Sequence, residues 1–485
     1  MKIQHHLKNN PHPKILSLMY LLAVRSVSLW LLAALSVTAA PPPNFVFILG
    51  EGHGWSSTSV QMDDAVPASK SAYVHTPNFE KLAQSGMRFA NFYAPSPRCT
   101  PSRVALFTGK SPAQLHMTFI NEGRRDSGRD PNGRVITPSA SMELPTSEVT
   151  LAKLLKGAGY ATAHFGKWHM GRANPSQHGY DENDGANGNG GPEDVDNPHP
   201  KQLYRMTERG MDFMARQVKA GKPFYLQLSH YASRQGGDAT PEALAAVKGW
   251  GGNLNDREIA EAAADLDLDI AFGQLSKQLD DLGLAANTYV LFTTDHGTPG
   301  RNPPLSGGKG TVSEGGLRVP FIIRGPGIQP GTCSHVRVIG EDLLPTLAAL
   351  ARVSEPLPKG LEGGSFAAVL TNAGQGAVQR PREEFVIHFP HYDKDALGPA
   401  SAILLGDFKL IHPYETGVCR LFNIATDPGE RRDLAREMPT KAKELDRRLT
   451  DYLVAMNAQM PKPNPHYDPT KPTEVPRGGK RKGKQ

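Results

Sequence analysis

The 485-residue chain predicts an α/β fold: a large mixed, mainly parallel sheet sandwiched by helices, then a small C-terminal antiparallel sheet packed by one helix. Three observations carry that prediction. Short β-rich apolar runs alternate with helical patterns throughout Asn44–Leu350, as in a sheet covered on both faces. Two of the runs, NFVFILG at Asn44–Gly50 and YVLFTTDHG at Tyr289–Gly297, are almost continuously apolar, as buried central strands are. After about Gly374 the pattern changes to brief β-like runs between turn residues, EEFVIHFP, SAILLGDFKLIHP and CRLFNIAT, closed by the helical stretch EMPTKAKELDRRLTDYLVAMNAQM.

The first forty residues stand apart. An apolar run from Ile15 to Ala40 is interrupted by Arg25, and SVSLWLLAALSVTAA after it has the length and small-residue end of a signal peptide cleaved near Ala39 or Ala40. Met19 is an alternative start. A retained membrane anchor is the competing reading, because the run nearly spans a bilayer if Arg25 is tolerated. The expectation is export to the periplasm or beyond, with no stable membrane association. The organisation follows: 1–40 signal peptide, 41–374 main domain, 375–460 small α+β subdomain, 461–485 Pro-rich basic tail without fixed structure.

Composition narrows the partners. The formal charge of +6 and pI near 9.0 come partly from the tail GGKRKGKQ at Gly478–Gln485. No other basic run is interleaved with aromatics, so a nucleic-acid role is not expected, and an anionic glycan matches the net sign better. Three cysteines fit export without a disulfide framework.

Taken in order, NFVFILG ends at a glycine and opens its carboxyl end towards a site. TPNFEKLAQSG at Thr76–Gly86 places Phe79, Leu82 and Ala83 at helical spacing, and MRFANFYA reads as a strand. In SPRCTPSRVALFTGK, Ser96–Lys110, a helix begins near Cys99 with Pro101 suited to its first turn, so backbone N–H groups favour an anion at Cys99. Asn121–Glu148 reads as a surface excursion near the site's mouth. TLAKLLKGAGY is a helix, and the strand TAHFGKW delivers Lys167 and His169. Gly179–Pro200 is acidic, glycine-rich and patternless, either a lid or merely mobile. A helix over Tyr204–Val218 precedes the strand PFYLQLSHY, which ends at His230. Asp256–Leu282 reads as one long amphipathic helix whose acids form a solvated face. Tyr289–Gly297 places Asp295 and His296 at a strand's carboxyl end, where open parallel sheets gather ligands. SGGKGTVSEGGLRVP holds Lys309 among glycines, and a helix at EDLLPTLAALARV contains Pro345, which can begin its continuous portion.

The spacing Cys-x-Pro-x-Arg from Cys99 through Pro101 to Arg103 resembles the signature of the sulfatase family. The resemblance extends in the family's order through PNFVFILG, GKWHMG, TTDHG, KGTVSEGGLRVPFIIRGPG, DLLPTLAALA, GDFKLI and LFNIATDPGE. It implies an alkaline-phosphatase-like fold and conversion of Cys99 to formylglycine by a formylglycine-generating enzyme. One hydroxyl of the aldehyde hydrate attacks sulfur and the other expels sulfate. It also implies that Arg103 holds the hydrate, Lys167 bridges hydrate and metal region, and His169 binds a hydrate hydroxyl and accepts its proton. Lys309 contacts the sulfate and ester oxygen, and Glu314 with Arg318 fixes the loop.

The family usually has two adjacent aspartates after the first strand as metal ligands. The matching positions here are Glu51 and Gly52, so one ligand is kept in kind and one is missing. His53, or Asp63 with Asp64, are possible substitutes. With Asp295, His296 and the hydrate at Cys99, Glu51 makes an oxygen-dominated set that suits Ca²⁺ better than a softer metal, with Mg²⁺ left open. Where the family commonly has a histidine after the strand ending in SHYA, this chain has Arg234. Arginine binds sulfate but donates protons poorly, which leaves His230 as an alternative acid. If Cys99 is modified, Cys333 and Cys419 remain, and spacing does not support a bridge between them. The implied function is hydrolysis of sulfate esters, of sulfated glycans or small aryl sulfates. Two rival readings are a phosphonate or phosphate monoester hydrolase of the same superfamily, and a protein that binds sulfated glycans without turnover.

Overall fold

The strand Asn44–Gly50, β1, sits at the centre of the structure, and its side chains alternate between two cores. Phe45, Phe47 and Leu49 point into one hydrophobic layer, Val46 and Ile48 into another. The computed structural model describes residues 41–120, 129–188, 202–231, 239–300 and 302–472. The first forty residues, read above as a signal peptide, Arg234 and the basic end of the chain lie outside the described residues.

Seven further strands join β1: β2 (Met87–Phe89), β3 (Ala161–Gly166), β4 (Glu182–Asn183), β5 (Phe224–Ser229), β6 (Thr288–Thr294), β7 (Phe321–Arg324) and β8 (Thr332–Ser334). Their order is β8-β2-β7-β6-β1-β5-β3-β4. The pairings of β1 with β5 and β6, β3 with β4 and β5, and β8 with β2 are parallel, and only β7 runs against its neighbours. This is the mixed, mainly parallel sheet expected from the strand–helix alternation.

Helices cover both faces. Helix α1 (Pro77–Ser85) packs on the Val46 and Ile48 side with α4 (Leu203–Ala220) and α5 (Asp256–Asp281). On the Phe45 side lie α2 (Cys99–Thr108), α3 (Leu151–Gly157) and α6 (Leu343–Leu350). Pro345 stands in the first turn of α6, where its missing N–H costs nothing. MRFANFYA does not form one strand: β2 stops at Phe89, and Phe92–Tyr93 pairs separately with Val338–Ile339.

Helix α5 departs from its expected role. Asp265, Asp267 and Asp269 are buried rather than solvated. Asp265 contacts His53 Nδ1 at 3.0 Å, and Asp267 accepts from Tyr204 Oη and the Thr240 backbone and hydroxyl. Asp269 accepts the backbone N–H groups of Asn78 and Phe79 at the start of α1. Meanwhile Ile270 is 39% exposed. Covered on several sides, the helix uses acids as internal acceptors, a demand that periodicity does not register.

The C-terminal sheet is antiparallel in the order β9 (Phe385–Phe389), β10 (Ala400–Leu405), β11 (Phe408–Pro413), β12 (Arg420–Asn423), packed by α7 (Pro439–Ala455). Residues Pro43–Gln485 form one unit by their contacts. Part of the stretch read as a structureless tail is tied down: Lys462–Pro463 pairs with Val135–Ile136, and Asn132 donates to the carbonyls of Asp468 and Lys471. Among the described residues no helix is long and apolar enough to cross a membrane.

Candidate active site

The parallel strands end in register, and this brings distant residues together. Gly50 of β1 pairs with Thr294 of β6, Leu49 with Ser229 of β5, and Gly166 of β3 also with Ser229. Glu51, Asp295, His230 and Lys167 each follow one of these ends, so all four open on the same edge of the sheet.

Cys99 is the first residue of α2 and only 1% exposed. Its thiol donates to Glu51 Oε1 at 3.3 Å, and its Sγ lies 3.1 Å from His296 Nε2. Were Cys99 converted as the resemblance implies, Sγ would mark the place of a hydroxyl oxygen of the aldehyde hydrate. One turn on, Arg103 is fully buried: its Nε donates to Asp295 Oδ2 at 3.0 Å and one Nη to the Lys167 carbonyl at 2.7 Å. Lys167 Nζ and Lys309 Nζ each lie 2.8 Å from an oxygen of Glu51. Burial raises Glu51, but Lys167, Lys309 and His296 outweigh it and hold the carboxyl well below its usual range. Burial and Glu51 push the Cys99 thiol up, yet the same three groups bring it well below normal. Burial and Glu51 hold Asp295 up to about 6.

The donor set fits a divalent ion. One ligand atom from each of Glu51, Cys99, Asp295 and His296 lies within 4.8 Å of the others. His296 Nδ1 donates to the Gly297 carbonyl at 2.9 Å; burial lowers the imidazole, but Asp295, Cys99 and Glu51 outweigh it and hold it up to about 9, so an ion bound here would displace the Nε2 proton and take that nitrogen's lone pair. Asp63 and Asp64 are engaged elsewhere, with the Ala65 backbone and Arg88 respectively. His53 is held by Asp265.

Gly52 gains a physical explanation. Its φ is +67°, and a Cβ there would lie 3.2 Å from His296 Cε1. The imidazole therefore occupies the space beside position 52, and its Nε2 supplies a donor where that position has no side chain. Gly297 is also constrained: a Cβ would fall 1.9 Å from the Gly315 carbonyl, which lies against the Asp295–His296 edge.

His169 has φ +59° and is buried beside Cys99; its N–H donates to the Asn187 carbonyl, and its own carbonyl accepts from Thr100 Oγ1 at 2.9 Å. Burial lowers its pKa against the pull of Cys99. Asn187 also binds the Trp168 N–H and the Gly166 carbonyl, so the patternless Gly179–Pro200 stretch contributes a brace. His230 is buried, and burial, His53 and Arg103 hold it down to about 3. Its imidazole is therefore held toward the neutral form at the end of β5.

Glu314 and Arg318 make their expected ion pair at 2.8 Å. The sequence reading missed its partners from the C-terminal sheet: Lys409 Nζ lies 3.1 Å from Glu314 and 2.8 Å from Glu430. Asp393 likewise grips Arg98 and abuts Gly310, so the residues preceding Cys99 and following Lys309 are held together. Buried polar residues on otherwise β-like runs, such as Lys409 in GDFKLI, were the available signal.

Comparison with known proteins agrees with this architecture. The family model described as Sulfatase matches residues 43–353, and one described as N-sulphoglucosamine sulphohydrolase, C-terminal, matches residues 308–459. The chain is 32% identical to N-acetylgalactosamine-6-sulfatase of Sus scrofa over 372 residues, 68% of this chain and 66% of that one, just under two thirds of the relative's length. It is 32% identical to human arylsulfatase A over 442 residues, covering 80% and 78% of the two chains. The solved structure of Ps i-CgsB in complex with k-i-k-neocarrahexaose superposes with a TM-score of 0.71 at 24% identity, over 86% of this chain and 94% of that one, a likeness of fold.

Proposed function

Because the chain belongs to the sulfatase family, we propose that it is a sulfuric ester hydrolase that releases inorganic sulfate from sulfated carbohydrate, or from aryl sulfate esters. The observation that supports this most directly is Cys99, buried at the start of α2 against His296 and Glu51, with Lys167 and Lys309 converging on the same carboxylate. As formylglycine, position 99 supplies the nucleophilic hydroxyl, and a divalent cation held by Glu51, Asp295 and His296, calcium in preference to magnesium, offsets charge on the sulfate oxygens when bound.

The protein's own groups account for the rest. Glu51 and Asp295 are opposed by Arg103, Lys167 and Lys309, so the cationic groups outnumber the carboxylates before any ion is added and the site is prepared for an anion. Arg103 fixes Asp295 and the Lys167 carbonyl at once. Lys309 is the most accessible of the three, at 8% exposure, which suits contact with sulfate and ester oxygen. His169, kept neutral by burial, is the acceptor for the proton of the second hydroxyl. The donor that His296 supplies beside Gly52 favours turnover over binding alone.

The relative named N-acetylgalactosamine-6-sulfatase supports a sulfated sugar as the leading substrate class, and arylsulfatase A supports aryl sulfate as the second. Export through the N-terminal signal segment and maturation by a formylglycine-generating enzyme belong to the same proposal. The test is sulfate release from a panel of sulfated glycans, an aryl sulfate and matched phosphate esters. Protein co-produced with a formylglycine-generating enzyme is assayed with calcium beside Cys99→Ala. Release abolished in the variant is expected. Confirmed aldehyde at position 99 with no sulfate release, or faster phosphate release, overturns the proposal.

A further inference from the structure

Outside the active site, one other group of donors converges among the described residues: His412, Cys419 and Asp446. They come from three different elements. His412 lies on β11, and Cys419 immediately precedes β12. The register pairs Ile411 with Arg420, which sets His412 across from Cys419 on the antiparallel hairpin. Helix α7 brings Asp446 over both.

The distances separate two chemistries. His412 Nδ1 lies 2.7 Å from Asp446 Oδ1, Cys419 Sγ lies 3.4 Å from the same Nδ1, and Sγ lies 3.4 Å from the same Oδ1. A nucleophilic relay needs the cysteine on one ring nitrogen and the carboxylate on the other. Here both meet Nδ1, so three donors face a single point. Around a tetrahedral zinc ion, ligand atoms at about 2.0–2.3 Å from the metal stand roughly 3.4–3.6 Å apart. The two sulfur distances already match this spacing, and the His412–Asp446 contact needs to open by about 0.7 Å as the ion replaces the hydrogen bond.

We infer that His412, Cys419 and Asp446 form a second metal site, open at one coordination position, for a thiophilic divalent cation of the zinc class. Sulfur and imidazole donors select such an ion over calcium, which keeps the site distinct from the oxygen-dominated one at Glu51. Binding replaces the Cys419 thiol proton, which leaves to solvent, by a metal–sulfur bond. A pocket of about 470 Å³ bordered by His412, Tyr414, Leu453 and Met460 gives room for a water or an exogenous ligand at the open position. The three ligands tie the β11–β12 hairpin to α7, so the ion staples the C-terminal subdomain.

The test uses full-length protein carrying Cys99→Ala and Cys333→Ser, which leaves Cys419 as the only thiol. Cobalt is titrated and the near-ultraviolet thiolate-to-cobalt charge-transfer band is read, a signal independent of turnover. One equivalent is expected to produce the band and zinc to bleach it. Cys419→Ser is expected to abolish it, and Asp446→Asn, at a side chain 37% exposed and so compatible with folding, to weaken cobalt affinity at least tenfold. Absence of the band at tenfold excess cobalt overturns the site. So does a band that persists in folded Cys419→Ser protein, or unchanged affinity in Asp446→Asn.

Discussion

Replacing Gly52 with aspartate, the residue type the family usually has there, is expected to impair this protein, and replacing His296 at the same time to relieve much of the damage. At φ +67° any side chain costs about 1–3 kcal/mol of backbone strain. A Cβ would stand 3.2 Å from His296 Cε1 and 3.5 Å from Pro299 Cδ, so the ring must retreat before a carboxylate can be accommodated. Gly52→Ala should therefore destabilise by about 1–2 kcal/mol, and Gly52→Asp by more, because its carboxylate also meets buried Glu51 and Asp295. His296→Asn removes the Nε2 donor and vacates the space. The double variant should recover, giving a coupling of about 1 kcal/mol or more between the two positions. Stability is read by denaturant unfolding in chelator, and ion affinity by calorimetric calcium titration of all four proteins. Additive effects, or a Gly52→Asp protein as stable as the parent and tighter for calcium, refute the idea that His296 fills the place beside position 52.

The other predictions concern the support around the site and its pH range. Lys409→Met leaves buried Glu314 and Glu430 without their shared cation; a loss of about 3–5 kcal/mol is expected. It should be partly rescued by Glu430→Gln, and a loss under about 1 kcal/mol in thermal unfolding argues against the anchoring role. Burial holds His164 and His391 down to about 3 and His388 down to about 4. Each folded pKa lies below the unfolded value of about 6.5, so protons bind the unfolded chain preferentially and stability falls as pH drops below about 6.5. Each histidine is worth about 2 kcal/mol between pH 7 and pH 5. Asp269, raised by burial to about 6, acts in the opposite direction as pH falls. The discriminating measurement is therefore the difference from His391→Gln, whose stability should depend less steeply on pH by about one proton near pH 5. Identical slopes would show that His391 is not a buried neutral base.

The sequence by itself determined the strand–helix alternation, the two buried central strands, the change to an antiparallel C-terminal sheet and the Cys-x-Pro-x-Arg motif at Cys99. These are local patterns: apolar runs of strand length, helical spacing, and a five-residue motif whose proline fits a helix start. It also located Lys167, Asp295 and His296 at strand ends, because a parallel sheet puts every such end on one edge. Only the tertiary structure decided what each position faces. The acids of α5 look like a solvent face by periodicity, yet three of them satisfy buried donors from other elements. Gly52 reads as a missing ligand until the His296 ring is found against it, more than two hundred residues away in the chain. Lys409 offers only the faint signal of a charge within a β-like run, and Glu430 and Asp393 offer none, since a buried charge is fixed by its partners and not by its neighbours in sequence. Pairing across strands and between layers is a long-range choice made by packing, and at this protein's site it is what turns scattered residues into one charged cluster.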